Sequence, residues 1–202
     1  MCSRGDIGRG NRGVFIAQNN GTTVSIAQVV DGTSNTILLA EAVIGDPGSA
    51  NRMRGGFVIN VSGAQSESAN GPASACWALR GSNGMYTTSG YTSSSGADMR
   101  GRRWGGAHPH YTQFNTIIPP NGPSCSADTS AGQWGMLGAA TSMHSGGVNV
   151  ALADASVRFI SETIDANPAN FGTTYSTNHT GKSPFGVWGA LGSKDGGETT
   201  TL

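Results

Sequence analysis

The sequence predicts a mainly β protein, α+β with only a few short helices, and three observations carry that expectation. Glycine supplies 32 of the 202 residues and charged residues only 12%, while Ser, Thr and Asn are plentiful. That composition suits short strands and many turns better than long surface helices. Apolar residues alternate from Val148 to Leu152 and again at Val157 and Phe159, and dense turn chemistry at Asn19-Asn20-Gly21, Asp31-Gly32 and Asn121-Gly122-Pro123 punctuates the chain. The length fits one domain with a buried core, expected over residues 14–202 with a Gly/Ser-rich insertion around 62–100. Twelve basic residues balance twelve acidic ones, so no global field favours nucleic acid or an anionic membrane surface.

Residues 1–13 are rich in Gly and Arg without periodicity and are expected to be poorly ordered. Val14–Ala17 and Val24–Val30 read as a hairpin around Asn19-Asn20-Gly21. The short polar side chains of Asp31, Ser34 and Asn35, with Gly32 among them, are suited to bonding nearby backbone. Ile37–Ala40 is a continuous apolar run, the pattern of a strand buried on both faces, which Glu41 and Ala42–Ile44 would continue. A carboxylate beside such a run must reach solvent, find a partner or take a proton. For Glu41 the nearest candidate partners in the sequence are Arg52 and Arg54, and a structural ion pair or an edge position is expected over a catalytic carboxylate.

Phe57–Val61 reads as a strand, and residues 62–100 as a long loop or insertion carrying short strands. Phe114–Ile118 is a strand stopped by Pro119-Pro120, because proline donates no backbone hydrogen bond and pushes the residue before it to extended geometry. Val148, Val150 and Leu152 alternate with Asn149, Ala151 and Ala153, then Asp154 and Ala155 interrupt, and Val157 and Phe159 resume. This is a β-hairpin with a tight turn. His144 stands at its mouth behind Ser145, Gly146 and Gly147. Glu162–Asn170 suits a turn or one helical turn, and Val187–Leu191 is the last apolar cluster.

Several stretches invite chemistry. Arg100, Arg102 and Arg103 precede Trp104, and His108-Pro109-His110 follows. Basic and aromatic residues can bind phosphates or stack on bases, and two imidazoles can hold a transition metal. A hydrolase would use Asp154 to orient His144 toward Ser142 or Ser145. Yet ten residues of extended chain span about 30 Å, so His144 and Asp154 are expected to do separate jobs, at the strand mouth and in the turn. No nucleophile elbow, H-E-x-x-H or P-loop occurs. Asp195 and Glu198, beside two glycines, offer oxygen ligands that make calcium conceivable, without the EF-hand pattern. No other cofactor is expected. Cys2, Cys76 and Cys125 lack zinc-ligand spacing.

The hairpin with His144 and Asp154, together with DGTSNTILLAE (31–41), GRRW (101–104), FNTIIPPNGPSC (114–125) and VWGALGSKDGGE (187–198) in that order, resembles the DUF1559 group. These are prepilin-type proteins with a C-terminal H-x9-DG motif, abundant in planctomycetes. Ala155 stands where the motif has glycine, a turn position at positive φ, and should cost about 1 kcal/mol if that geometry is kept. The resemblance implies a pilin-like antiparallel β-sheet domain lacking the N-terminal pilin helix, in which GRRW anchors the segment after it. It also implies an exported, non-enzymatic protein at the cell surface, extracellular or periplasmic, whose partners are other pilin-like subunits or secretion and pilus assembly components. Membrane contact would come only through the missing helix, since no run here reaches the ~18 apolar residues of a span. Truncation of a longer protein is the expectation. Export in turn makes a Cys76–Cys125 disulfide the expected state, against two buried free thiols. The rival is a glycan- or solute-binding module on the same fold, with Trp77, Tyr86, Tyr91, Trp104 and His110 converging on one groove.

Overall fold

In the computed structural model, which describes residues 1–6, 12–15, 23–46, 51–66, 69–88, 99–106, 108–129, 135–176 and 178–198, short strands are assembled from distant parts of the chain. They are β1 (Cys2–Ser3), β2 (Ile37–Ala40), β3 (Gln113–Phe114), β4 (Gly147–Leu152) and β5 (Val157–Ser161). All five form one sheet in the order β3-β1-β2-β4-β5. Pairing is antiparallel except between β1 and β3, which run parallel. The expected all-antiparallel sheet is therefore a mixed one. Among the described residues three short helices accompany it, α1 (Ala73–Trp77), α2 (Pro109–Thr112) and α3 (Gly186–Gly192).

The hairpin forms as its alternation requires. Val148, Val150 and Leu152 are buried, and Ala151 pairs with Val157 and Asn149 with Phe159 on the opposite face. Ala155 donates to the Leu152 carbonyl, Leu152 donates to the Ser156 carbonyl, and Ala155 sits at φ 69°. That is a three-residue loop closed by a left-handed residue, the position for which glycine is suited. At the other end a side chain on Gly147 would run into the Ile160 carbonyl and the Phe159 ring.

β2 sits in the interior of the sheet, but its register slips between Ile37, opposite Leu152, and Leu39, opposite Ala151. Such a bulge re-aims the side chains, so Leu39 lies on the open face instead of in a second core. The strand also ends at Ala40 instead of continuing to Ile44. Residues 2–3, read as part of an unordered segment, lie between β2 and β3, and Ser3, Arg4 and Asp6 are buried. Arg12 Nε lies 3.2 Å from Asp6 Oδ1 in the interior. The hairpin expected around 14–30 differs as well: residues 16–22 lie outside the described set, and Ile26–Gln28 is a 3-10 turn with Ser25 and Gln28 bonding reciprocally at its start. Phe57–Val61 is not a strand; Val58 makes a single bridge to Cys125. Among the described residues of the expected insertion, α1 stands in place of a full strand, with isolated bridges at Arg52–Met85 and Arg80–Tyr86.

The inner face of the sheet packs Ile37, Val148, Val150, Leu152 and Ile160 against Phe114, Ile118, Phe171, Trp188 and Leu191 in the main core. Trp188 stacks on Phe114 and donates its indole N–H to the Ile118 carbonyl at 2.9 Å, satisfying the one polar group that its burial would strand. A disulfide joins Cys76 of α1 to Cys125, with Cα atoms 5.5 Å apart. Phe57, Met99 and Met136 form a smaller second cluster.

Candidate functional site

The motif residues converge on two knots at opposite ends of β4. At its start, just beyond the end of β2, the Glu41 carboxylate accepts the Asn149 backbone N–H at 2.9 Å and the Asn149 side-chain amide at 3.1 Å. His144 Nε2 lies 3.1 Å from Glu41 Oε1. Burial opposes ionisation of Glu41, but hydrogen bonds from Asn149 and Ser142, with the neighbouring His144, outweigh it and hold its pKa at about 2. The expected Arg52 or Arg54 partner is replaced by this set, and Arg54 instead pairs with Glu162 at 3.3 Å. The reason is the sheet: β2 runs antiparallel to β4, so the residue after β2 faces the start of β4.

Ser142, Glu41 and His144 are the ingredients of a hydrolytic triad in the wrong order. The Ser142 hydroxyl takes the His144 backbone N–H at 3.1 Å and also bonds Glu41, while the imidazole meets the carboxylate. A base must reach the hydroxyl it deprotonates, and here the carboxylate occupies that place.

The second knot lies at the hairpin tip. Asp154 Oδ1 accepts the Ser156 hydroxyl at 2.7 Å and its N–H at 2.9 Å, and these bonds hold the Asp154 carboxyl below the usual range. Its own N–H donates to the Thr33 carbonyl, and Ala153 donates to the Thr36 carbonyl. Asp154 thus closes its own turn, with β4 separating it from His144. Thr33, Ser34 and Asn35 form a 3-10 turn after Gly32, whose φ is 94°, and the Asn35 amide donates to the Asp31 carbonyl at 3.2 Å. The Asp31 carboxylate accepts the Gly196 and Gly197 N–H groups at 2.7 and 2.8 Å. Sequence reasoning found Asp31 but missed this long-range partner.

Asp195 and Glu198 do not share a calcium cage. Lys194 Nζ lies 3.0 Å from Asp195, and Glu198 accepts the Ser183 N–H. Among the described residues no three His, Cys, Asp or Glu side chains are grouped as metal ligands. His110 is buried against Phe57 and Tyr111, so the His108-Pro109-His110 metal reading finds no open pair.

The four aromatic candidates among the described residues do not converge either. Tyr86 is buried and its hydroxyl donates to the Ser124 carbonyl at 3.1 Å, with burial pushing its pKa up to about 12. Trp104 is 88% exposed. In GRRW the anchors are the arginines: Arg102 donates to the Gly45 carbonyl at 2.7 Å, and Arg103 lies over the Tyr111 ring. Trp77 alone lines a groove, half-buried, with its edge against Phe171 and the Arg80 guanidinium 4.4 Å from its centroid. Tyr91 lies outside the described residues. Arg100, read from sequence as part of a basic patch, is instead 1% exposed and bonds Ser124 Oγ at 2.6 Å and the Gln113 carbonyl at 3.3 Å. Burial lowers its pKa to about 10.

Fold and site together define a small β-rich domain whose signature residues fasten backbone to backbone. A family model described as "Protein of unknown function (DUF1559)" matches residues 3–167, and the chain belongs to that family. The match begins ahead of the resemblance read from sequence and stops before the 187–198 block. No curated protein and no solved structure matches the chain.

Proposed function

We propose that this domain is a structural, non-enzymatic part of an exported pilin-like or pseudopilin-like protein, serving surface display or filament assembly. The observation that carries this reading is the use made of the motif residues. Asp31, Glu41 and Asp154 each turn their carboxylates onto backbone N–H groups of another segment or of their own turn, the use a scaffold makes of such residues. The disulfide suits an oxidising compartment outside the cytoplasm. Val157 and Phe159, 68% and 52% exposed on edge strand β5, give the open sheet face apolar surface of the kind that neighbouring subunits cover.

The test is made in the source organism with the natural gene carrying an epitope tag. Tagged protein should be digested by protease added to intact cells and should enter high-mass adducts with an amine cross-linker. Phe159→Glu should lose the adducts while keeping surface exposure. Protein confined to the cytoplasm as a monomer would sink the proposal.

A further inference from the structure

A groove of about 950 Å³ opens beside the corner at Pro119-Pro120, lined in part by Arg52, Arg54, Trp77, Arg80, Met143 and Glu162. We infer that it binds an acidic oligosaccharide, whose carboxylates are taken by Arg52 and Arg80. This reading stands apart from assembly and holds or fails without it.

The charge is local. In a chain of zero net charge, this groove gathers three arginines against one carboxylate among the described residues, Glu162. Glu162 is already engaged, by Arg54 at 3.3 Å and by the Asn121 amide at 3.0 Å. The excess positive charge therefore rests on Arg52 and Arg80, both exposed. Arg80 is also held in place: its guanidinium carbon lies 4.4 Å from the Trp77 ring centroid, and an arginine placed against an aromatic ring can still present its N–H fork to a carboxylate.

The walls are fixed. Arg52 is bridged to Met85 and Arg80 to Tyr86, and the disulfide ties the helix bearing Trp77 to Cys125. Asn121 locks the corner by donating to Glu162 and accepting the Ser142 N–H at 2.9 Å. A prearranged site of this size can hold a ligand of several rings, and the apolar surface of Met85, Met143 and Pro119 suits the C–H faces of sugars. A peptide is disfavoured because Pro119 and Pro120 present no N–H to pair with an added strand.

The experiment is isothermal titration of the purified domain with oligogalacturonate, with a neutral cello-oligosaccharide and poly-glutamate in parallel, at low and high salt. Saturable binding of oligogalacturonate alone is expected, weakened by salt. Arg52→Gln and Arg80→Gln should each lower affinity about tenfold, the loss of a charged hydrogen bond, with unchanged thermal melts because both side chains are exposed. Absence of binding, equal affinity in the variants, or equally tight poly-glutamate would overturn the inference.

Discussion

Ala155 holds φ at 69°, where an L side chain crowds its own backbone. The hydrogen bonds around it keep that conformation despite the methyl group, so the turn holds a left-handed position without a glycine. Ala155→Gly should therefore raise stability by about 1 kcal/mol, read as a higher denaturation midpoint at unchanged slope. A lower midpoint would mean that the greater freedom of glycine in the unfolded chain outweighs the relieved strain. Glu41 makes a pH prediction. Its pKa falls from 4.5 to about 2 on folding, so its contribution is complete above pH 4.5 and disappears as pH falls through about 2. The full shift corresponds to about 3 kcal/mol, and solvent screening of a side chain 33% exposed cuts this to about 1–2 kcal/mol. Glu41→Gln should destabilise by that amount at pH 6, and the gap from the parent protein should close near pH 2. A gap constant with pH would assign the loss to packing.

At the scale of elements, the hairpin was legible because period and turn chemistry agree over one local stretch. β1 was not, since two residues carry no period and both its partners are distant in sequence. The apolar run at 57–61 misled because only Phe57 and Val58 are buried, Asn60 turns the backbone at φ 58°, and the segment makes a single bridge. α1 and α3 are too short for periodicity to separate from strand. Of the candidate site, Asp154 was readable from local turn chemistry, whereas the Glu41–His144 contact spans 103 residues and needs the β2–β4 register to be known. α1 has only five residues and no side-chain cap, and the disulfide ties its Cys76 to Cys125. The bridge closes a loop of 49 residues, for which restriction of the unfolded chain predicts about 4 kcal/mol. Cys76→Ser with Cys125→Ser should lower stability by roughly that much. A loss below about 1 kcal/mol would show that core packing alone fixes this helix.

For the molecule as a whole, no helix among the described residues is long and apolar enough to cross a membrane, and the fold depends on fastening remote segments to one sheet. Asp31 is the sharpest instance, because its carboxylate reaches across 165 residues to the Gly196 N–H. Around it, Val30 and Asp31 donate to the Lys194 carbonyl, and Lys194 donates to the Arg12 carbonyl. The turn at 193–198, the 31–36 segment, the hairpin tip and the buried Arg12–Asp6 pair are therefore linked through a single region. Removing the Asp31 charge should loosen the outermost member first. Asp31→Asn replaces an acceptor-only group by one that presents an amide to the glycine N–H groups, losing at least one charged hydrogen bond worth about 1.5–3 kcal/mol. Native-state hydrogen exchange should then speed up most at Gly196 and Gly197, while the β4–β5 amides speed up only as far as the loss of global stability requires. Equal acceleration at both places would mean that the C-terminal turn and the sheet open as one cooperative unit, with Asp31 belonging to the global fold instead of to a local clasp.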